Sequence, residues 1–328
     1  EGLRLNLMDT VQEAEQAYWD LVQTWRELAV RQWLVEVGVA VRDVLARRRD
    51  FDTKLAQYSD AVATVEQRRA DVIRSQRLIR FASDRLKQII NDPEIPVGSE
   101  VVLWPQDDMV DSPISYNLTD AMLTAMKNRP EIKQAALGIN NADIQQLVAD
   151  NQRLPLLNLA AQMSFFGMDD NAGGSYSNLG DADFIDYLLG AAFEYPLGNR
   201  AAEAAYTQAR LQRASAVVSY QQSVQDVVLD VKRALRDVIT DYDLIMATRS
   251  LRVAQAENLR TLLVEEETMA GLTPEFLNLK FQRQERLALA RTQEVAAMAN
   301  YDKSVSALYR AMGTSLFMQG INVEQEEE

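Results

Sequence analysis

Residues 154–200 read LPLLNLAAQMSFFGMDDNAGGSYSNLGDADFIDYLLGAAFEYPLGNR, and this stretch decides the fold. From Leu157 the alternation is strict. Leu157, Leu159, Ala161, Met163 and Phe165 take one face, and Asn158, Ala160, Gln162 and Ser164 take the other. After a polar, glycine-containing segment at 168–186, the return strand puts Tyr187, Leu189, Ala191, Phe193 and Tyr195 on one face. Leu188, Gly190, Ala192 and Glu194 lie opposite. Period-two alternation is the mark of a half-buried strand. Each strand has about ten residues, the length a tilted strand needs to cross a bilayer. An isolated hairpin is marginal in water, so this one requires completion by copies of itself. Apolar-out, polar-in alternation fits a transmembrane β-barrel, and two strands of a soluble sheet carry the same signal.

Outward from the hairpin, almost everything reads as long helix. Residues 199–269 contain neither Pro nor Gly, which at 1.5 Å per residue predicts a helix of roughly 105 Å. Val217, Val224, Val231, Val238 and Ile245 recur every seven residues, accompanied by Val228, Leu235 and Tyr242, and this period predicts left-handed coiling. Gly271-Leu272-Thr273-Pro274 turns the chain into a return helix at 275–312. On the N-terminal side, a helix over 131–153 follows the break at Arg129-Pro130, and Asn117 caps a short helix ending near Asn128. Residues 91–116 hold four of the eight prolines and no helical period, so they form an extended connector. Residues 1–49 and 53–90 make a helical hairpin, the second helix burying Leu55, Tyr58, Val62, Val65, Val72, Leu86 and Ile89.

The domain reading has four parts. A first-repeat helical hairpin covers 1–90, and an equatorial connector with its short helix covers 91–129. The second repeat at 130–313 contains the hairpin at 154–197, and an acidic tail occupies 314–328. The repeat rests on a shift of 217–222 residues that superimposes helix, turn and half-helix rather than identities. The chain opens Glu1-Gly2 and reads as an N-terminally truncated fragment, with a first hairpin expected upstream.

Composition narrows the function. The 328 residues include no His and no Cys, which removes disulfides, thiol chemistry, imidazole acid–base work and Cys/His zinc sites. The expectation is no enzyme and no cofactor. A formal charge of −14 argues against a nucleic-acid partner. No run of about eighteen apolar residues exists to form a membrane-spanning helix.

AYWDLV at 17–22, NRPEI at 128–132, LP at 154–155, FEYPLGNR at 193–200 and NYDKSVSALYRAMG at 300–313 occur in an order and spacing that cover essentially the whole chain. In these pieces the sequence resembles the TolC-like outer membrane efflux protein family. The resemblance implies a mainly α fold of very long antiparallel coiled helices forming an α-barrel. It also implies a membrane-spanning β-hairpin contributing to a trimeric β-barrel. The homotrimer would sit in the lipid bilayer of the bacterial outer membrane, extend into the periplasm, and serve as the passive exit duct of a tripartite efflux pump or type I secretion system. Its partners would be a periplasmic adaptor (membrane fusion) protein and an inner-membrane pump. The competing reading is a periplasmic coiled-coil scaffold or adaptor with long α-hairpins.

Several residues are candidates for roles within that reading. Leu157, Leu159, Met163, Phe165, Leu189, Phe193 and Tyr195 are the membrane-facing strand residues. Gly271, Leu272 and Thr273 match the family's adaptor-docking turn, and an ordinary capping turn reads the same way. Under the repeat shift, Arg48 and Arg49 fall opposite Glu265 and Glu266, either as a periplasmic gate or as a solvated helix end. Trp19, Trp25 and Trp33 read as packing residues. Asp169, Asp170, Asp181, Asp183 and Asp186 lack EF-hand spacing, and no metal site is expected.

Overall fold

The computed structural model describes residues 1–48, 55–115, 117–166, 184–268 and 273–321. The elements are α1 (Gly2–Arg48), α2 (Leu55–Ile90), α3 (Leu118–Asn128), α4 (Pro130–Asn151), β1 (Leu156–Phe166), β2 (Phe184–Glu194), α5 (Arg200–Thr268), α6 (Pro274–Ala311) and α7 (Ser315–Met318). They divide into two compact units, residues 1–133 with 224–328 and residues 134–223.

In the first unit α1 packs along α2 and α6. Ala17, Leu21 and Leu28 of α1 meet Ile79 and Leu86 of α2, while Val41 and Leu45 meet Ala61 of α2 and Leu277 of α6. The α2 seam advances by threes and fours through Ala61, Val65, Arg68, Val72, Ser75, Ile79, Ser83 and Leu86, the spacing of a coiled-coil stripe. Four polar residues on α2 are therefore buried: Arg68, Ser75, Ser83 and Lys87. Leu55, expected inside, is 63% exposed, because it precedes the first packed layer, where Ala61 meets Val41 and Leu45. On α5, Val231, Val238 and Ile245 are fully buried, whereas Val227 rather than Val228 takes the intervening core position.

Local chemistry sets the helix ends. Asn117 caps α3, its side chain accepting from the Thr119 amide at 2.9 Å. Arg129 is extended, as a residue before proline prefers, and Pro130 opens α4. Thr273 caps α6 by accepting from the Phe276 amide at 3.2 Å. Gly313 ends α6 with φ of +72°, where a Cβ would lie 3.0 Å from the Asn128 carbonyl carbon.

The connector after α2 has neither helix nor strand through residue 115, so its backbone groups need other partners. The helices supply them. Lys87 Nζ donates to Ser99 O at 2.9 Å, Ser83 Oγ accepts from the Leu103 amide at 3.0 Å, and Trp25 Nε1 donates to Leu103 O at 3.1 Å. Tyr18 reaches Asp107 at 2.5 Å, Arg26 pairs with Asp108, and Arg249 of α5 pairs with Asp111 at 2.9 Å. Tyr301 of α6 donates to Ser112 O at 2.8 Å and accepts from the Ile114 amide at 3.1 Å. The connector thus binds side chains of four helices in turn.

In the second unit β1 and β2 form an antiparallel two-stranded sheet. Beside it, Arg153 joins Glu203 and Asp150 at 2.9 and 2.8 Å and lies over the Tyr206 ring, while Arg213 pairs with Asp143.

Candidate functional site

The strand register turns the alternation of each strand into a property of the sheet. Leu157 pairs with Phe193, Leu159 with Ala191, Ala161 with Leu189, Met163 with Tyr187 and Phe165 with Ile185. Directly opposite residues share a face, so the two apolar sets form one continuous surface. The other face pairs Asn158 with Ala192, Ala160 with Gly190, Gln162 with Leu188 and Ser164 with Asp186, and is small or polar apart from Leu188 and the end pairs Leu156–Glu194 and Phe166–Phe184. Leu159 is 77% exposed and Leu189 83%, and Leu157, Met163, Phe165 and Phe193 are exposed too. Tyr195, expected on the strand, falls beyond the last paired residue, Glu194. Pro196, which has no amide hydrogen to donate, follows it. An apolar sheet face that the described residues leave exposed marks a surface for lipid or another chain.

Of the candidate docking turn, Thr273 is the exposed cap of α6, and Gly271 and Leu272 lie outside the described residues. Of the candidate gate, Arg48 is the last residue of α1, and Glu265 is exposed near the end of α5. Arg49 lies outside the described residues. Glu266 accepts from Lys280 Nζ of α6 at 2.5 Å, so it has a partner within its own helix pair. Asp169, Asp170, Asp181 and Asp183 also lie outside the described residues. Among the described residues no group of acidic side chains is arranged to hold a metal ion.

The tryptophans pack. Trp25 and Trp104 meet edge to face at 4.2 Å, Trp19 lies 5.3 Å from Tyr18, and Arg291 sits 4.1 Å above the Trp33 ring. Burial pushes the Arg291 guanidinium down from its ordinary pKa, with Arg252 adding repulsion.

Arg68, Arg129 and Asp302 are among the buried charges that sequence reasoning passed over. Arg68 Nη1 donates to Leu34 O at 2.9 Å and to Gln284 Oε1 at 3.0 Å, and burial lowers its pKa against the opposing pull of Glu285. Arg129 joins Glu131 at 2.8 Å and Asp230 at 3.3 Å, beside Arg310, which holds Asp9 at 2.8 Å. Asp302 is only 6% exposed, and among the described residues no cation contacts its ionised form. A signal for Arg68 existed in its seam spacing. No local pattern points to the other two.

No curated protein matches the chain. Solved structures share its fold. A membrane protein from Pseudomonas aeruginosa is 18% identical with a TM-score of 0.78, covering 94% of this chain and 69% of its own. The Campylobacter jejuni CmeC outer membrane channel is 15% identical with a TM-score of 0.71, covering 95% of this chain and 64% of its own. The Neisseria gonorrhoeae MtrE outer membrane channel, in its open state, is 18% identical with a TM-score of 0.76, covering 95% and 68%. The chain therefore spans about two thirds of the length of these proteins. The family description outer membrane efflux protein matches residues 123–314, more than half of the chain, and the chain belongs to that family.

Proposed function

We propose that the chain is one subunit of a passive exit duct through the outer membrane, acting as a conduit and not as an enzyme. The observation that carries this reading is the paired hairpin, with one continuous apolar face and one face that is small or polar along its middle except at Leu188, neither covered by the described residues. Lipid suits the first face and a water-filled lumen the second. Further strands must complete the sheet, because an open edge cannot persist in hydrocarbon. A homotrimer supplies copies, with a second hairpin from each subunit's first repeat. The helices support the same assembly. Beside the buried row Val231, Val238 and Ile245, α5 carries a second seven-residue row, Ile239, Met246 and Val253, that is exposed. A helix with two apolar stripes has neighbours on both sides and can close into a ring.

In this reading a periplasmic adaptor docks at Gly271, Leu272 and Thr273, and an inner-membrane pump drives efflux or type I secretion. Arg48 and Arg49, with Glu265 and Glu266, bias the periplasmic mouth toward closure. Ion pairs of this kind are weak singly and gain effect when repeated around a ring.

The experiment is single-channel recording of the full-length protein in planar bilayers, with the oligomer measured by native mass spectrometry. Trimers that conduct support the proposal. Trimers that insert yet stay silent in every state, including an Arg48→Glu/Arg49→Glu variant, refute the conduit.

A further inference from the structure

A cavity of about 250 Å³ lies beside the connector in the first unit, with Trp19, Tyr309 and two acidic residues, Glu15 and Asp302, in its wall. The acids differ in their situation. Glu15 accepts from Ser306 Oγ on one oxygen and from Gln319 Nε2 on the other. Asp302 Oδ2 accepts from the Val110 amide at 3.3 Å, the one hydrogen bond to this carboxylate among the described residues. The residue is more than nine-tenths buried and lines the cavity, and among the described residues no Lys or Arg forms an ion pair with it. Lys303, its neighbour in sequence, pairs instead with Asp20.

Holding the connector does not require this charge. An asparagine would accept the same amide hydrogen bond without placing an ionisable group in a poorly solvated wall. A buried carboxylate without a cation is neutralised either by a proton or by a cation placed beside it, and the cavity leaves room for the second. The cavity's shape suits a particular cation. An indole and a phenol ring offer π-faces to a positive group and apolar surface to its body, whereas a bare metal ion would find few oxygen ligands.

We propose that this cavity binds a small organic ammonium ion, with the charged nitrogen at Asp302 and its apolar part against Trp19 and Tyr309. Because Asp302 holds the connector at Val110, and Val110 and Ile114 of the connector line the cavity, an occupant would brace the connector against α1 and α6.

The test uses the full-length protein in detergent and ¹⁹F NMR titration of 4-fluorobenzylammonium, with 4-fluorobenzyl alcohol as the uncharged analogue. The proposal expects saturable binding of the ammonium at least tenfold tighter than the alcohol. Asp302→Asn should weaken it tenfold or more and Trp19→Leu several-fold. Val305→Phe, which fills the cavity while retaining Asp302, should abolish it. Equal binding of ammonium and alcohol, ammonium binding unchanged by both Asp302→Asn and Val305→Phe, or Ca²⁺ displacing the probe through direct coordination at Asp302 would each overturn the assignment.

Discussion

Gly38 and Arg68 occupy one site: a Cβ on Gly38 would lie 2.8 Å from Arg68 Nη1 and 3.4 Å from a Val65 methyl. The absent side chain on α1 is the space into which the α2 guanidinium passes to reach Leu34 and, beyond it, Gln284 on α6. Three helices are therefore registered at one residue.

Gly38→Ala should be destabilising although alanine favours helix over glycine by about 1 kcal/mol. The new methyl displaces Nη1 from its acceptors, a loss of about 1–3 kcal/mol. In an Arg68→Met background the same substitution should become neutral or stabilising, because a buried ion can be replaced by a hydrophobe of similar size without loss. A double-mutant cycle by denaturant unfolding in detergent measures this coupling. A coupling near zero would mean that the guanidinium moves aside freely.

Asp302 gives stability a defined pH dependence. Burial pushes its pKa up to about 7, opposed by the Val110 amide; Tyr301, Tyr309 and Glu15 are the titratable groups around it. With the folded value above the unfolded one, the native state holds a proton that the unfolded chain has already released. The contribution is complete below about pH 4, declines as pH rises toward 7, and is constant above. At 1.36 kcal/mol per unit, the decline is on the order of 4 kcal/mol at most. Asp302→Asn keeps the acceptor for Val110 and should be more stable than the parent at pH 8, with the difference vanishing at low pH. Thermal unfolding of both proteins across pH 4–8 reads it directly.

The hairpin faces should respond oppositely to charge. Leu189→Arg places a cation on the apolar face and should weaken membrane insertion by about 2–4 kcal/mol if the residue lies near the bilayer midplane. Ala160→Arg, on the other face opposite Gly190, should insert normally and change ion selectivity. Heat-modifiable mobility and membrane fractionation report insertion. Equal tolerance at both positions would remove the distinction between the faces.

What was legible in the sequence is what depends on neighbours along the chain. The alternation from Leu157, the cap at Asn117, the restart at Thr273-Pro274 and the seven-residue row through Val231 and Val238 all express local geometry, and the elements form there. Even the apolar strand faces could be written down in advance, although Tyr195 lies past the last paired residue. Tertiary structure alone decided which residues complete the seams. Apolar periodicity cannot show that Arg68 enters a gap left by Gly38, that Val227 is chosen over Val228, or that Leu55 lies beyond the last packed layer. It also cannot show that an irregular connector crosses four helices and leaves Asp302 buried at a cavity wall without a counter-charge among the described residues. These features depend on contacts between residues about 30 to 290 positions apart. Their geometry follows from how whole helices align, a long-range outcome of packing that propensity and period do not encode.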